Sequence, residues 1–506
     1  MSQLRKKFVV VGAGAVGVSC ALMLKRGLEQ KIQENKNSQT TKYSITLVDP
    51  NDFAGAGTTY WDYDCGQDSN VYLNNQPNER MIVDLQQRDA YTNFLIKNGH
   101  TQQTDPKLVA KSFSSRATFG RFVNNQLWET IKNSRNSSVE INIKNATAKN
   151  LIQTDTEKLE LILDNDKIEA DIVLNASGHR PNHLFGKFND VSGFFNSPAC
   201  IKSLHEHINS ATNKAVAILG SGQSMIDAFA ALDRNQALQY YTNPGQPQPE
   251  CFSREVHVLS RSPSYHWPFI PENNPTELDD TPFEPKILTA ANIVREQAYT
   301  LKKLATLLEK EVKTATNYPI EIDGQSFSFG PGHIYAKLNM SSVENLFDTE
   351  EKQKALNDFK QHVRALFSNP TPLERYRMLK DTNYTLHLGS IMPDDITQQK
   401  DGSFILQTKN GDNIHVGTII NATAFARNAF TNPEEPETVR DPFLRRLHEK
   451  SYLSINPTSK GLFAAGHQKI SGLFLAHNAA THESWGMEKF SNENQTLITQ
   501  LVRDYA

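Results

Sequence analysis

Two short glycine-rich segments of this 506-residue chain each follow an apolar run and have a spacing suited to binding phosphate. In such a loop the first glycine permits a tight turn, the second lets a pyrophosphate approach the backbone, and the third lets a helix pack closely. Free N–H groups at the helix N-terminus then favour the anion. We therefore expect two dinucleotide-binding loops, with Met225 at the third glycine position of the second one. Their residues are Gly12, Ala13, Gly14, Ala15, Val16 and Gly17, and Gly220, Ser221, Gly222, Gln223 and Ser224.

The residue that ends the next predicted strand differs between the two loops. Asp49 ends the segment SITLVDP (44–50), and its carboxylate can accept hydrogen bonds from an adenosine ribose. The strand 255–260 instead runs into Ser260 and Arg261, and an arginine can pair bidentately with a 2′-phosphate. We expect FAD in the first loop and NADPH in the second, so that a nicotinamide could reduce a flavin. Two alternatives stay open: a glycine turn that binds nothing, and a degenerate second unit with a solvated arginine.

The elements that would position these loops form two β-turn-α-β patterns. The first has strands at 7–11 and 44–50 around a helix at 15–28, and the second has strands at 214–219 and 255–260 around a helix at 223–233. Continuous apolar strands separated by helices are typical of a parallel sheet buried on both faces. The spacing of Leu301, Leu304, Leu307 and Leu308 predicts a core-facing helix in a helical region at 286–315 and 343–368.

These patterns predict an α/β fold with two Rossmann-like dinucleotide-binding domains, the second inserted in the first, and an added helical subdomain. We expect an FAD-binding domain at 1–205 and 386–506, an NADP(H)-binding domain at 206–285 and a helical insertion at 286–385.

Composition excludes several other classes of function. The net charge of −3 gives no broad reason to bind nucleic acid or an anionic membrane. The four cysteines are far apart, which argues against a disulfide framework, a cysteine-rich zinc site and a dithiol redox pair. The pairs His205/His207 and His477/His482 do not stack on one helix face, so we expect no metal.

The chain begins with a basic stretch and 17 uncharged residues, Phe8 to Leu24, which resembles a signal peptide. Because glycines at fingerprint spacing interrupt that run, we favour a first strand and helix over a signal peptide. No other apolar run approaches the length of a membrane span. We expect a cytoplasmic protein.

Several segments together resemble the two-dinucleotide-binding-domain flavoproteins, in particular the N-hydroxylating and dimethylaniline-type flavin monooxygenases (class B), and the bacterial FAD-NAD(P)-binding family. They are GAGTTY (55–60), NQPNERMIVD (75–84), FSSRATFGRFV (113–123), ADIVLNASGHRP (170–181) and TIINATAF (418–425). The resemblance covers most of the chain except the helical region near 286–380.

The resemblance implies roles for four further residues. Asn75 would be the neutral amide that hydrogen-bonds an oxygen adduct at the flavin C4a position, and His266 would accept the proton of an amine substrate. Arg116 would open a helix beside the flavin, and Gly466 would lie in a C-terminal cofactor-binding segment. Asn75 as a turn residue and His266 as a packed or surface residue are the open alternatives.

Three positions depart from the family pattern. Ser177 stands where threonine is usual, Ala424 where glycine is usual, and His467 where disulfide reductases have aspartate. The last departure, with the absence of a Cys-x-x-Cys motif, favours monooxygenases over reductases.

The resemblance therefore implies an FAD- and NADPH-dependent monooxygenase that N-hydroxylates a small amine or amino acid with dioxygen, through a C4a-hydroperoxyflavin. An FAD/NADPH oxidoreductase without oxygen insertion and a flavoprotein fold used as a binding or regulatory module are the alternatives. The expected partners are small molecules, not nucleic acid or a membrane; a homo-oligomer is possible.

Overall fold

The structure is a computed structural model, and the part described here leaves gaps along the chain. It comprises residues 5–34, 41–50, 54–55, 57, 77–135, 137–156, 158–177, 183–196, 201–211, 215–232, 254–261, 268–269, 285–315, 319–322, 325–328, 343–366, 371–372, 379, 383–423, 443, 446–447, 450–455, 462–464, 471–476 and 487–506.

Strands and helices alternate along much of the chain, as the β-turn-α-β patterns predict. The strands are β1 (Arg5–Val11), β2 (Lys42–Asp49), β3 (Val139–Asn145), β4 (Ala148–Gln153), β5 (Leu159–Leu163), β6 (Lys167–Ala170), β7 (Ile172–Asn175), β8 (Phe194–Phe195), β9 (Val216–Leu219), β10 (Val256–Ser260), β11 (Pro268–Phe269), β12 (Pro319–Ile322), β13 (Gln325–Ser328), β14 (Thr371–Pro372), β15 (Thr385–Leu388), β16 (Ile396–Gln398), β17 (Phe404–Gln407), β18 (Asn413–Val416), β19 (Thr418–Asn421), β20 (Leu453–Ile455), β21 (Leu462–Ala464) and β22 (Leu473–Leu475). The α-helices are α1 (Ala15–Glu34), α2 (Ala90–Lys97), α3 (Pro106–Lys111), α4 (Arg116–Ser134), α5 (Ile201–Ser210), α6 (Gln223–Leu232), α7 (Ala290–Arg295), α8 (Leu301–Ala315), α9 (Glu350–Leu366) and α10 (Met487–Tyr505).

The chain divides into two compact units. The first contains Met1–Asn189, Ala199–Ser203 and Ala424–Ala506, and the second contains Asp190–Pro198 and Leu204–Thr423. The second unit is therefore inserted within the first along the sequence. Residues 386–423, expected from sequence in the FAD-binding domain, lie in the second unit, where β19 is hydrogen-bonded between two strands of its sheet.

The first unit is built on a five-stranded sheet with the strand order β22-β7-β1-β2-β3. All its neighbouring strands are parallel. Helices α1, α4 and α10 contribute to a core on one face, with Val18, Leu24 and Phe122 among the buried side chains. The antiparallel sheet β4-β5-β6 contributes Leu151 and Leu161 to a second core with Val9 and Val11 of β1. Burial on both faces explains why β1 reads as an apolar run.

The second unit repeats this plan with the strand order β15-β10-β9-β19-β8, again with parallel neighbours. Both sheets thus confirm the α/β fold with two parallel, Rossmann-like sheets.

The predicted helical region forms a small core within the second unit. The leucines Leu304, Leu307 and Leu308 of α8 are buried together with Phe359 of α9, as the helical spacing predicts. The prediction was wrong for Leu301, which is the first residue of α8 and is 38% exposed. Glu311 of α8 is fully buried, and its carboxylate accepts hydrogen bonds from the backbone N–H groups of residues 286–288. A buried carboxylate with three donors is stabilised in place, so Glu311 anchors the entry to this helical region.

Candidate functional site

The first glycine loop turns tightly between β1 and α1, and two of its positions have no room for a side chain. Gly12 has a φ of +98°, and a Cβ atom there would lie 2.8 Å from the carbonyl oxygen of Ala176. A Cβ atom on Gly17 would lie 1.9 Å from the carbonyl oxygen of Gly12. These two glycines therefore perform the structural tasks expected of the first and third positions.

Gly14, the second position, has a different environment. The nearest atom to a Cβ built there is the Cα of Gly57, at 3.6 Å, which is an ordinary contact distance. No steric reason within the described residues requires glycine at this position. A ligand could therefore approach the backbone at Gly14, which is the role expected of the second glycine in dinucleotide binding.

Asp49 lies beside this loop, at the end of β2. Its Oδ2 accepts a hydrogen bond of 2.8 Å from the backbone N–H of Ala13. This bond ties the glycine loop to the adjacent strand end, a task that the sequence did not reveal. Since a carboxylate has acceptor sites on both oxygens, Asp49 can also bind a ribose hydroxyl group.

The second glycine loop has the same backbone conformation, hydrogen bond and close contact at its first glycine as the first loop. Gly220 has a φ of +104°, and its N–H donates to the carbonyl oxygen of Leu259 at 2.8 Å. The N–H of Gly12 donates to Val48 at the same distance. A Cβ atom on Gly220 would lie 2.6 Å from the carbonyl oxygen of Ala422. Near Gly222 a Cβ atom would meet no atom of the described residues within 4 Å, so this part of the chain leaves space for a ligand.

The end of β10 differs chemically from the end of β2. Ser260 occupies the place of Asp49, and its hydroxyl is hydrogen-bonded to that of Ser221 at 2.8 Å. The neutral hydroxyl pair Ser221–Ser260 thus replaces the hydrogen bond between the Ala13 amide and the Asp49 carboxylate. Arg261 follows directly and is exposed to solvent. This edge of the sheet lacks the negative charge that would repel a 2′-phosphate and carries a cation instead.

Two strand-to-turn segments that carry the family resemblance pack against the first glycine of each loop. Asn175 pairs with Val11 in the first sheet, and Asn421 pairs with Leu219 in the second. In each segment the asparagine Oδ1 accepts a hydrogen bond of 3.1 Å from the N–H two residues later, at Ser177 and Thr423. The Asn-Ala-Ser and Asn-Ala-Thr sequences are therefore equivalent turns. Sequence analysis noted both segments but missed that they are a structural repeat, although the shared Asn-Ala dipeptide was visible.

The remaining loop residues lie where the fingerprint places them. Ala13, Ala15 and Val16 are buried at the start of α1, and Gln223 and Ser224 begin α6. Met225, at the third glycine position, is 1% exposed. The described structure therefore accommodates a large side chain where the first loop accommodates none.

Arg116 is the first residue of α4. The Ser115 hydroxyl accepts a hydrogen bond from the N–H of Thr118 at 3.1 Å and caps this helix. The expected start of a helix at Arg116 is confirmed, whereas its contact with a flavin stays a prediction.

Asn75, His266 and Gly466 lie outside the described residues, so their assignments stay predictions. In the segment that begins with Asn75, the described residues Asn78 and Asp84 have structural partners. The Asn78 amide donates to the carbonyl oxygen of Val109 at 2.9 Å, and Asp84 forms a two-pronged ion pair with Arg26. These bonds hold the segment that follows Asn75 against α1 and the last turn of α3.

The described part of the chain has neither a metal-ligand cluster nor a membrane-spanning helix. No group of three or more His, Cys, Asp or Glu side chains there is placed to hold a metal ion. No helix there combines the length and apolar character that crossing a bilayer requires.

Comparison with known proteins agrees with this geometry. Residues 9–180, which include the first glycine loop and Asp49, match the FAD-NAD(P)-binding family. This part of the chain is therefore similar to an FAD-NAD(P)-binding domain. No curated protein matches the chain.

Solved structures extend the agreement to both units. The chain is similar to the ornithine N-hydroxylase of Kutzneria sp. 744, with 13% sequence identity, a TM-score of 0.50 and 99% of each chain covered. It is also similar to the L-lysine 6-monooxygenase of Pseudomonas syringae, with 11% identity, a TM-score of 0.50 and 98% of each chain covered. The fold is therefore that of the two-dinucleotide-binding-domain flavoproteins, as the sequence resemblance implied.

Proposed function

We propose that this protein is an FAD- and NADPH-dependent monooxygenase that N-hydroxylates a small amine or amino acid. The observation that carries the proposal is the repetition of one loop geometry with two different strand ends. Asp49 ends the neighbouring strand in the first unit, and Ser260 with Arg261 ends it in the second. Two loops of the same shape with opposite charge preferences are suited to two different dinucleotides.

The first loop fits FAD. The N-terminus of α1, behind Gly14, offers free N–H groups to the pyrophosphate, and the Asp49 carboxylate can accept from the ribose. The match of residues 9–180 to the FAD-NAD(P)-binding family supports this assignment. When bound, FAD would accept a hydride from NADPH and pass electrons to dioxygen.

The second loop fits NADPH rather than NADH. Gly222 leaves space for the pyrophosphate, and Arg261 supplies charge for the 2′-phosphate. Replacing Arg261 with alanine should therefore raise the KM for NADPH much more than the KM for NADH. An equal effect on both would remove the NADPH assignment.

The fold comparison supports the proposed substrate class. The two proteins named above are, by name, an ornithine N-hydroxylase and an L-lysine 6-monooxygenase, and the present chain shares their fold. An amine must lose its proton before it attacks oxygen. We propose His266 as the group that accepts this proton and Asn75 as the neutral amide beside the flavin, both on the resemblance of their segments.

Coupled turnover tests the proposal. The purified protein should absorb visible light as a flavoprotein, and NADPH oxidation should be measured together with oxygen uptake and peroxide release. Ornithine, lysine and short diamines are the probes. One hydroxylated amine formed for each NADPH oxidised supports the proposal. Stoichiometric peroxide with every amine, or rapid electron transfer to a quinone instead, would show an oxidoreductase without oxygen insertion. Purified protein that contains no flavin and binds none would exclude both functions.

A further inference from the structure

The strand that borders β10 brings a second basic residue to the end of β10, where Arg261 lies. β15 runs parallel to β10, with Leu388 paired with Ser260. Just beyond β15, the N–H of Gly389 donates a hydrogen bond of 2.9 Å to the carbonyl oxygen of Ser260. Gly389 is thus bonded to the peptide group that joins Ser260 to Arg261.

The side chain of Lys409 lies along Gly389. A Cβ atom built on Gly389 would be 3.6 Å from the Cβ and Cγ atoms of Lys409 and 3.7 Å from its Cδ atom. Three successive carbons of one lysine at nearly equal distance mean that its stem runs past the glycine. Lys409 itself lies in the turn between β17 and β18, which is closed by a 2.9 Å hydrogen bond from the N–H of Thr408 to the carbonyl oxygen of Asp412.

Both cations are exposed and available for a ligand. Arg261 and Lys409 lie at the surface, and no hydrogen bond or ion pair of either side chain is found for the described residues. Arg261 follows Ser260, and the stem of Lys409 passes Gly389, which is hydrogen-bonded to Ser260, so both cations belong to the same strand end. Two exposed cations at one strand end are suited to a doubly charged anion, since each can neutralise part of its charge.

We propose that Lys409 and Arg261 together bind the 2′-phosphate of NADPH, so that Lys409 is a second determinant of the preference for NADPH over NADH. This inference rests on the proposed use of NADPH. Arginine supplies a planar, two-pronged contact, and lysine supplies a point charge from beside the end of the adjacent strand β15. The flat backbone of Gly389 gives the lysine stem a surface to lie on.

The test compares two adenosine nucleotides that differ in this phosphate. The flavin-loaded protein is titrated with 2′,5′-ADP and with 5′-AMP by calorimetry, as the wild type and as the variants Lys409→Gln, Arg261→Gln and Lys400→Gln. Lys400 is an exposed lysine in the neighbouring turn between β16 and β17, and it provides the matched loss of one surface charge.

Losing one charge-assisted contact should weaken 2′,5′-ADP binding by about ten- to a hundredfold in Lys409→Gln and leave 5′-AMP binding unchanged. Lys400→Gln should bind both nucleotides like the wild type. A double variant that combines Lys409→Gln and Arg261→Gln completes the comparison. Because the two cations share one phosphate, its fold loss in affinity for 2′,5′-ADP should be smaller than the product of the two single losses. The Lys409 contribution should also fall as salt is added.

Two outcomes overturn the inference, and they can be told apart. If Lys409→Gln behaves like Lys400→Gln while Arg261→Gln loses affinity for 2′,5′-ADP, Lys409 has no such role and the proposed NADPH site stands. If the wild type binds 2′,5′-ADP no more tightly than 5′-AMP, the preference for NADPH itself is wrong.

Discussion

Replacing Gly14 with alanine should separate cofactor binding from folding in the first unit. The matched change is Gly17→Ala, three residues away in the same loop. Both variants add one methyl group, but the two methyl groups meet different surroundings. The comparison therefore tests whether the second glycine serves a ligand and the third serves the fold.

The distances give the expected magnitudes. A methyl group on Gly17 would lie 1.9 Å from the carbonyl oxygen of Gly12, whereas real Cβ atoms essentially never lie within 3.0 Å of such an atom. The loop or helix must move by more than 1 Å, which in a packed core costs about 1–3 kcal/mol. Among the described residues, a methyl group on Gly14 would meet Gly57 alone, at 3.6 Å, so its effect on stability should stay within about 1 kcal/mol.

Gly14→Ala should weaken FAD binding while it leaves stability nearly unchanged, whereas Gly17→Ala acts first on stability. The methyl group of Gly14→Ala would stand where the pyrophosphate approaches the backbone. Loss of one hydrogen bond to a charged phosphate is worth about 1.5–3 kcal/mol, or about ten- to a hundredfold in Kd. Thermal unfolding of the flavin-free protein gives the stability, and quenching of FAD fluorescence on reconstitution gives the Kd.

Either of two results would refute this reasoning. If Gly14→Ala binds FAD like the wild type, the first loop does not hold the pyrophosphate at Gly14. If Gly17→Ala unfolds at the wild-type temperature, the contact between α1 and the turn is looser than the structure shows.

Three further predictions concern buried groups. Asp84→Asn should lower the free energy of unfolding by about 2–3 kcal/mol, less than the loss of a fully buried pair because the Arg26 side chain is 29% exposed. Loss of the i,i+4 pair with Lys25 in Glu29→Gln should change it by less than about 1 kcal/mol, because the Glu29 side chain is 37% exposed, against 10% for Asp84; equal effects in urea unfolding would contradict this. The pKa of His257 lies below its ordinary 6.5, first because of burial and then because of His387, against the opposing charge of Glu255. The unfolded chain takes up this proton at a higher pH than the folded protein does. The stability that neutral His257 contributes should therefore be complete above pH 6.5 and decline as the pH falls from there towards the folded pKa. Unfolding midpoints measured across pH 5–8 should show this slope, and His257→Gln should flatten it. Burial raises the pKa of the Cys20 thiol to about 12, so iodoacetamide should label Cys20 only at the rate of unfolding. Peptide mapping separates Cys20 from the other three cysteines, and fast labelling at Cys20 in the native protein would contradict its burial.

The loops themselves could be read from sequence because strand, turn and helix are local. Three glycines at a fixed spacing after an apolar run indicate the first loop without knowledge of any distant residue, and the structure places Gly12 and Gly17 in the expected environments. The same holds for Asp49, Ser260 and Arg261, because each lies at or next to the end of the strand that follows its loop helix. The leucine spacing of α8 likewise predicted its buried face, since helical periodicity is a property of one segment.

Sheet order could not be read in this way, because it joins residues that are far apart along the chain. The insertion of β19 beside β9 places residues 386–423 in the second unit and brings Asn421 to Gly220, as β7 brings Asn175 to Gly12. The pairing of β15 with β10 brings Gly389, and with it Lys409, to the end of the strand that precedes Arg261. Local pattern thus specifies which segments can bind phosphate, whereas the hydrogen bonds between distant strands select the side chains that surround it. Those bonds depend on packing both faces of each sheet at once, and no single segment of the chain contains that information.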